Sequence, residues 1–281
     1  MMFLADILVI AKVMSMRNAA LLVYHIRTNV LRNISTQVSP MPGPRIYTEH
    51  PIAIHDLITL EDQASQHLLR VLRMSDGDAV RLFNGDGREY QGELESCSKK
   101  IAQVRIGSIN HTDAPLALSL NLGQVISKGD RMDFVVQKAT ELGVSRIVPL
   151  WSERCDVRLK GDRLEKKVEH WRKVAISACE QCGRNHVPDI AAPLEFSNWL
   201  EQASSDLKLV LHPHNQKPLG QHTKPESVDI AIGPEGGFTD TEIELAQQAD
   251  FEGLLLGPRI LRTETAALTA LSVLQYQWGD F

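Results

Sequence analysis

The chain has 281 residues, 43% apolar and 23% charged, with a formal net charge of -5. These values describe an ordinary globular chain, long enough for two domains with separate cores, and exclude a fibrous or largely disordered protein. The negative balance argues against a uniformly basic nucleic-acid binder, so any basic surface has to be local.

Residues 1–40 are rich in Met, Leu, Val and Ile, carry Lys12, Arg17, Arg27 and Arg32, and contain Asp6 as the one acid. That composition resembles a targeting segment. Lys12 and Arg17, however, interrupt the apolar stretches before the roughly 18 residues that a membrane span needs, and no small-residue cleavage site follows a clean hydrophobic stretch. The preferred reading is an N-terminal extension over residues 1–40, with Met41, just before Pro42-Gly43-Pro44, as the start. No membrane partner is expected, and the location expected is cytoplasmic. The four cysteines, Cys97, Cys155, Cys179 and Cys182, are too few for a disulfide scaffold. Cys179 and Cys182 form a CxxC, but no second ligand pair accompanies it and it ends a helical pattern. Packed, inert thiols are therefore expected, with no metal site.

Residues 41–114 read as a small β-rich domain, with short apolar runs separated by turn signals. Asp76-Gly77-Asp78 and Asn84-Gly85-Asp86-Gly87 bound strands over 79–83 and 89–94, and 101–106 follows as a third. A helix over 62–72 carries His67, Arg70 and Arg73 at near-helical spacing, either as one basic edge or as a solvated face.

Past Pro115 strands alternate with helices, the pattern of an α/β domain with a parallel sheet, here over 115–281. The strands expected are 116–122, 146–150, 207–211, 228–232 and 253–256. In a helix over 162–182, Leu164, Val168, Trp171 and Ala175 form the packing stripe. Arg163, Lys166, Lys167, His170 and Lys173 form another, whose mutual repulsion is relieved if an anion answers it. An RNA backbone would do so, and a plain solvated face is the alternative. A helix over 265–277 is apolar on nearly all sides, so it is buried in the core or against a second subunit.

Two segments point to a ligand. Gly233-Pro234-Glu235-Gly236-Gly237 follows an apolar strand and precedes Thr239-Asp240-Thr241-Glu242, a helix-start signature. Glycines permit positive φ and close backbone approach, and open α/β sheets bind ligands at the carboxyl ends of their strands. Neither GxGxxG nor GxxxxGK[ST] is present, so dinucleotide and triphosphate sites lack support. Leu256-Gly257-Pro258-Arg259-Ile260-Leu261 turns at the end of another strand, and a threonine in Thr263-Glu264-Thr265 can cap the final helix. Two glycine turns at neighbouring strand ends make one crevice, with Leu211 and His212 as a third wall. A tight structural turn is the competing reading.

The pairing of Ile232-Gly233-Pro234-Glu235-Gly236-Gly237-Phe238 with the run Leu256-Gly257-Pro258-Arg259-Ile260-Leu261-Arg262-Thr263-Glu264-Thr265-Ala266 closely resembles the RsmE family of 16S ribosomal RNA methyltransferases, of the SPOUT class. Further matches are His67 with Val71-Leu72-Arg73, Lys138 with Glu141-Leu142-Gly143-Val144, and Glu180-Gln181 with Arg184. The resemblance implies a PUA-like β-barrel followed by a methyltransferase domain with a C-terminal trefoil knot, an exception to the rule that chains do not thread loops. It also implies S-adenosyl-L-methionine as cofactor, a homodimer, and methylation of a uridine N3 in the small-subunit RNA. The cofactor residues it implies are Leu211, His212, Gly233, Pro234, Glu235, Gly236, Gly237, Leu256, Gly257, Ile260, Leu261 and Thr263.

For the reaction, Arg262 is the first candidate to stabilise charge on the uracil, because it adjoins the second glycine turn. Arg184 or Arg45 are candidates from a second subunit. Glu264 and Glu235 are candidate bases, each with a competing role: Glu264 at a helix N-terminus, Glu235 in holding its loop. Arg45, Arg70, Arg73, Arg163, Lys166 and Lys167 are the expected RNA contacts. The alternatives are an enzyme of the same class acting on another RNA, and a non-catalytic RNA-binding assembly factor.

Overall fold

The computed structural model describes residues 43–212 and 219–281. The expected extension over residues 1–40 and the start at Met41 lie outside them. Strands β1 (Arg45–Tyr47), β2 (Leu57–Thr59), β3 (Ala79–Phe83), β4 (Arg88–Leu94) and β5 (Gln103–Thr112) form one sheet, ordered β1-β3-β4-β5-β2. The β3–β4 turn is the one expected from Asn84-Gly85-Asp86-Gly87. The Asp86 carboxylate accepts the Arg88 N–H at 2.8 Å and the Tyr90 hydroxyl at 2.6 Å, which fixes the hairpin. Register shifts at Glu89/Tyr90 and Gln91/Gly92 bend β4 against β5. The sheet thereby wraps Ile46, Leu68, Val80, Leu82, Tyr90 and Val104. Its end strands do not pair with each other, so the barrel implied by the resemblance is a half-barrel. The helix expected over 62–72 is α1 (Asp62–Gln66) continued by a π-helical turn, His67–Val71. Leu68 is buried there, while His67, Arg70, Val71, Leu72 and Arg73 are exposed.

The second sheet comprises β6 (Ser119–Val125), β7 (Arg146–Trp151), β8 (Asp189–Ile190), β10 (Leu207–Leu211), β11 (Ser227–Ile232) and β12 (Glu252–Leu254), in the order β12-β10-β11-β6-β7-β8 and parallel throughout. Short β9 (Leu194–Glu195) pairs with the end of β7. The chain steps outward from β6 through β7 to β8, then returns to the other side of β6 for the remaining strands. Its direction therefore reverses between β6 and β11, and in open parallel sheets that reversal places a ligand crevice at the carboxyl ends. Expected and observed strands agree to within a few residues. The largest shift is in β6, whose pairing with β11 begins at Ser119 and leaves Leu116 exposed.

The helices are α2 (Arg131–Glu141), α3 (Asp162–Cys182), α4 (Phe196–Gln202), α5 (Asp240–Gln248) and α6 (Thr263–Trp278). Helix α5 starts at the expected capping box: Thr239 Oγ1 accepts the Glu242 N–H at 3.3 Å, and Glu242 accepts the Thr239 N–H at 2.9 Å. The α3 stripe Val168, Trp171 and Ala175 is buried as expected, with Leu164 half-buried. Two members of its basic row, Lys167 and His170, are answered within the chain. Asp133 on α2 accepts from Lys167 at 2.9 Å and from the Trp171 indole at 3.0 Å, and lies 2.5 Å from His170 Nε2. Burial raises the affinity of Asp133 for its proton, but His170 and Lys167 more than offset this and hold the carboxyl below its ordinary value. Cys179 is buried, which pushes its thiol up to about 12, as an inert packed cysteine requires; Cys182 is exposed. No cluster of His, Cys, Asp and Glu among the described residues could hold a metal ion.

Arg45 joins the half-barrel to the parallel-sheet domain. Only 7% exposed, it pairs with Glu89 at 2.6 Å, donates to the Cys179 carbonyl at 2.5 Å, the Arg184 carbonyl at 2.8 Å and the Asn185 side chain, and stacks on Phe83. An RNA contact was expected of Arg45, and burial overturns it: every face of the guanidinium is already engaged inside the protein. Glu180 of α3 accepts the Tyr47 N–H at 3.1 Å, and Asn185 is held by Asp113 at 2.8 Å, so the same seam is bonded at three points. Burial drives Glu89 toward protonation, and Asn110, Arg45 and Arg81 reverse that shift.

Two outcomes follow from these pairs. Arg45→Ala leaves the buried Glu89 to Arg81 and Asn110 and the carbonyls of Cys179 and Arg184 without their donor, and should cost about 3–5 kcal/mol in urea unfolding, whereas exposed Arg163→Ala should stay within about 0.5 kcal/mol of wild type. Asp133 has a lowered folded value, so its stabilisation is complete above the ordinary 3.8 and is lost as pH falls through the still lower folded value. Asp133→Asn should therefore be less stable than wild type at neutral pH. The gap, read from unfolding midpoints, should close on acidification below that point.

Candidate active site

The crevice lies at the carboxyl ends of β10, β11 and β6. Ile232, the last residue of β11, pairs with Gln124 of β6, so the Gly233 turn rises at the point where the sheet's direction reverses. A Cβ on Gly233 would come within 3.2–3.3 Å of the Phe238 ring, so a side chain there would require the ring to give way. The loop is short because the Gly237 N–H bonds the Pro234 carbonyl at 2.9 Å. Two neighbouring loops hold it from outside. Arg154, after β7, donates to the Gly236 carbonyl at 2.8 Å, and Arg131, at the start of α2, forms an ion pair with Glu235. Glu242 completes the frame by accepting the Glu153 N–H at 2.9 Å. Glu235 thus has the loop-holding contact that competed with its reading as a base.

The second turn starts from β12, which is separated from β11 by β10. The two glycine turns were expected at neighbouring strand ends; instead β10, bearing Leu211 and His212, stands between them. The third wall is the middle one. Gly257 has φ 92, a left-handed value that glycine adopts without steric cost. From there residues 258–262 cross back over the ends of β10 and β11 to reach α6. Threading through the β10–β11 connection would make this crossing a knot, and that connection includes residues 213–218, outside the described residues.

Thr263 ties the crossing segment down. Its hydroxyl donates to the Gly233 carbonyl at 2.7 Å and accepts from Gln124 Nε2 at 2.9 Å. A capping threonine was expected for the final helix. Thr263 is instead the first residue of α6, and its hydroxyl is spent on the neighbouring turn; no side chain caps the helix. The backbone of residues 256–261 makes no hydrogen bond among the described residues. Leu256 and Leu261 pack on the core, and Ile260 is fully exposed. Residues 257–260 are exposed and Leu256 and Leu261 half-buried, so backbone groups with no bond among the described residues are open to solvent or to a polar ligand.

The catalytic candidates separate. Arg262 stands exposed beside Thr263 and forms no ion pair among the described residues. Glu264, in the first turn of α6, keeps one carboxylate oxygen buried without a hydrogen-bond partner among those residues. Arg184 lies away from the crevice, near the start of β7, where its guanidinium donates to the carbonyls of Thr140 at 2.7 Å and Val144 at 3.0 Å, closing the end of α2. In this chain its contacts are structural. His212 lines a small cavity with Val210, Ile243 and Phe251. Sequence reasoning missed Gln124, Arg131 and Arg154. The first of these had a faint signal, an amide at the carboxyl end of a strand that leads to the expected crevice.

Comparison with known proteins agrees with this geometry. Residues 114–275 match the model of an RNA methyltransferase domain, and residues 60–107 that of an RNA methyltransferase PUA domain. The chain is 36% identical over 251 residues to ribosomal RNA small subunit methyltransferase E of Buchnera aphidicola, covering 88% of this chain and 98% of that protein. With the Bacillus subtilis protein of the same name it is 32% identical over 240 residues, 82% and 94% of the two chains. Among solved structures, a putative methyltransferase from Legionella pneumophila with bound cofactor SAM superposes with a TM-score of 0.82 at 44% identity, covering 86% of this chain and all of that one. A ribosomal RNA small subunit methyltransferase E from Neisseria gonorrhoeae, bound to S-adenosyl methionine, superposes at 0.80 with 39% identity, covering 85% and 99%. The half-barrel and the parallel sheet match those of the ribosomal RNA small subunit methyltransferase E family, and this chain belongs to it.

Proposed function

We propose that the chain transfers a methyl group from S-adenosylmethionine to N3 of a uridine in 16S ribosomal RNA of the small subunit. The observation that carries this reading is the pair of turns joined by Thr263, with the backbone of residues 256–261 unbonded among the described residues. The residues present fit the cofactor: Gly233 to Gly237 and residues 256–261 offer backbone donors and acceptors, and Leu211, Leu256 and Leu261 offer apolar walls. Bound there, the cofactor supplies an electrophilic methyl on a sulfonium and calls for no metal.

The chain's own task is to position the uridine and assist loss of its N3 proton. Arg262, exposed and without an ion pair among the described residues, stabilises negative charge developing on the uracil oxygens. Glu264 has one unpartnered oxygen and remains the candidate to take a proton. RNA is held by Arg70 and Arg73 on the half-barrel and by Arg163 and Lys166 on α3, all exposed. Lys167 is committed to Asp133 and contributes less. We further propose a homodimer through α2 and α6, whose outer faces leave Phe134, Val273 and Tyr276 exposed on adjacent, packed helices. None of the helices among the described residues is long and apolar enough to cross a membrane, and a ribosomal substrate places the work in the cytoplasm.

Mass spectrometry of digested 16S RNA from cells with and without this protein tests the reading; unchanged RNA would defeat the uridine assignment. Arg262→Ala should lower methyl transfer by about 100-fold or more while calorimetry shows unaltered cofactor affinity. Normal turnover by that variant would remove Arg262 from the mechanism. Gly257→Val places a β-branched residue at φ 92 and should weaken cofactor binding in the same calorimetric assay.

A further inference from the structure

Gln124 is the most deeply buried polar side chain at the crevice, with 0% exposure, at the carboxyl end of β6. Its orientation follows from its partner. Thr263 has one hydroxyl proton, and the Gly233 carbonyl takes it at 2.7 Å, so the oxygen can only accept from its other neighbour. That neighbour must be the amide NH2 of Gln124, which stands at 2.9 Å and also donates to the Val125 carbonyl at 3.0 Å. Gln124 Oε1 is then left buried, with no partner among the described residues. An amide held in a dry site by its two donors is fixed in one orientation, because turning it over would set its oxygen against two acceptors.

The chain of bonds runs from the middle of the sheet outward: β6 holds Gln124, Gln124 holds the Thr263 hydroxyl, and Thr263, the first residue of α6, holds the Gly233 turn. Arg262 is the residue immediately before it. We infer that Gln124 is a positioning residue of the methyltransferase site, acting through Thr263 to set the spacing between the two glycine turns and the stance of Arg262. This rests on the cofactor reading proposed above. Gln124 is not itself assigned a contact with the reacting atoms.

The test compares full-length Gln124→Met, which keeps the length and loses both donors, with Thr263→Val, Thr263→Ser and the Gln124→Met/Thr263→Val double variant. Cofactor affinity is read by calorimetry with S-adenosylmethionine alone, and kcat and KM on small ribosomal subunits. Gln124→Met and Thr263→Val should each weaken cofactor affinity about tenfold and lower kcat with little change in the KM for RNA. Thr263→Ser, which keeps the hydroxyl, should restore most of both. The double variant should be no worse than Thr263→Val, because one linkage is being cut twice.

Losses that multiply in the double variant, or a Gln124→Met protein with wild-type affinity and kcat, would overturn the inference while leaving the cofactor reading intact. Wild-type protein that does not bind S-adenosylmethionine would defeat both. Should Gln124→Met fail to fold, as near-ultraviolet circular dichroism would reveal, the Thr263 pair still decides: equal affinity in Thr263→Val and wild type contradicts any linkage through that hydroxyl.

Discussion

One hydroxyl carries the geometry of the crevice. Thr263 accepts from β6 and donates to the turn after β11, so a segment that leaves the sheet at its β12 edge is fastened back over its middle. Residues 256–261 have no helix or strand and no backbone bonds among the described residues, and their position depends on where they end. The same fastening leaves their polar groups available to a ligand. In a buried site such a bond is hard to replace, because losing it strands an amide and a carbonyl together.

The charged residues divide between holding the protein and meeting its substrate. Arg45, Arg184, Arg131 and Arg154 are taken up by carboxylates or carbonyls of the chain itself, at the seam, at the end of α2 and around the glycine loop. Arg70, Arg73, Arg163, Lys166 and Arg262 are exposed instead. The division reconciles a net charge of -5 with a proposed RNA substrate: attraction to phosphate depends on local groups left unpaired, and the overall balance says little about them.

Much of the local structure was legible from the residues. Asn84-Gly85-Asp86-Gly87 specifies its hairpin through glycine φ and the Asp86 carboxylate, and Thr239 with Glu242 specifies a helix start. The strand 207–211 was read to the residue, since an apolar run bounded by polar turns has one way to pair in a buried sheet. Other features misled for physical reasons. The α3 basic row suggested an external anion, but for Lys167 and His170 it is Asp133, 34 residues earlier than Lys167, that supplies one. Arg45 looked like a free cation because the groups that enclose it lie as far as 140 residues away.

By itself, then, the sequence determined the alternation of strands and helices, the turns, the caps and the two glycine segments that mark the family. All of these are set by neighbours within a few positions, where backbone sterics and hydrophobic period act. Tertiary structure alone decided that β10 stands between the two glycine turns, that Thr263 bonds a turn in place of capping its helix, and that Gln124 lies beneath both. Sheet order is settled by packing among distant strands, and a hydroxyl or guanidinium bonds whichever group the fold brings within 3 Å or so of it. Gln124 and Thr263, 139 residues apart, become one structural unit only when β6 and α6 meet.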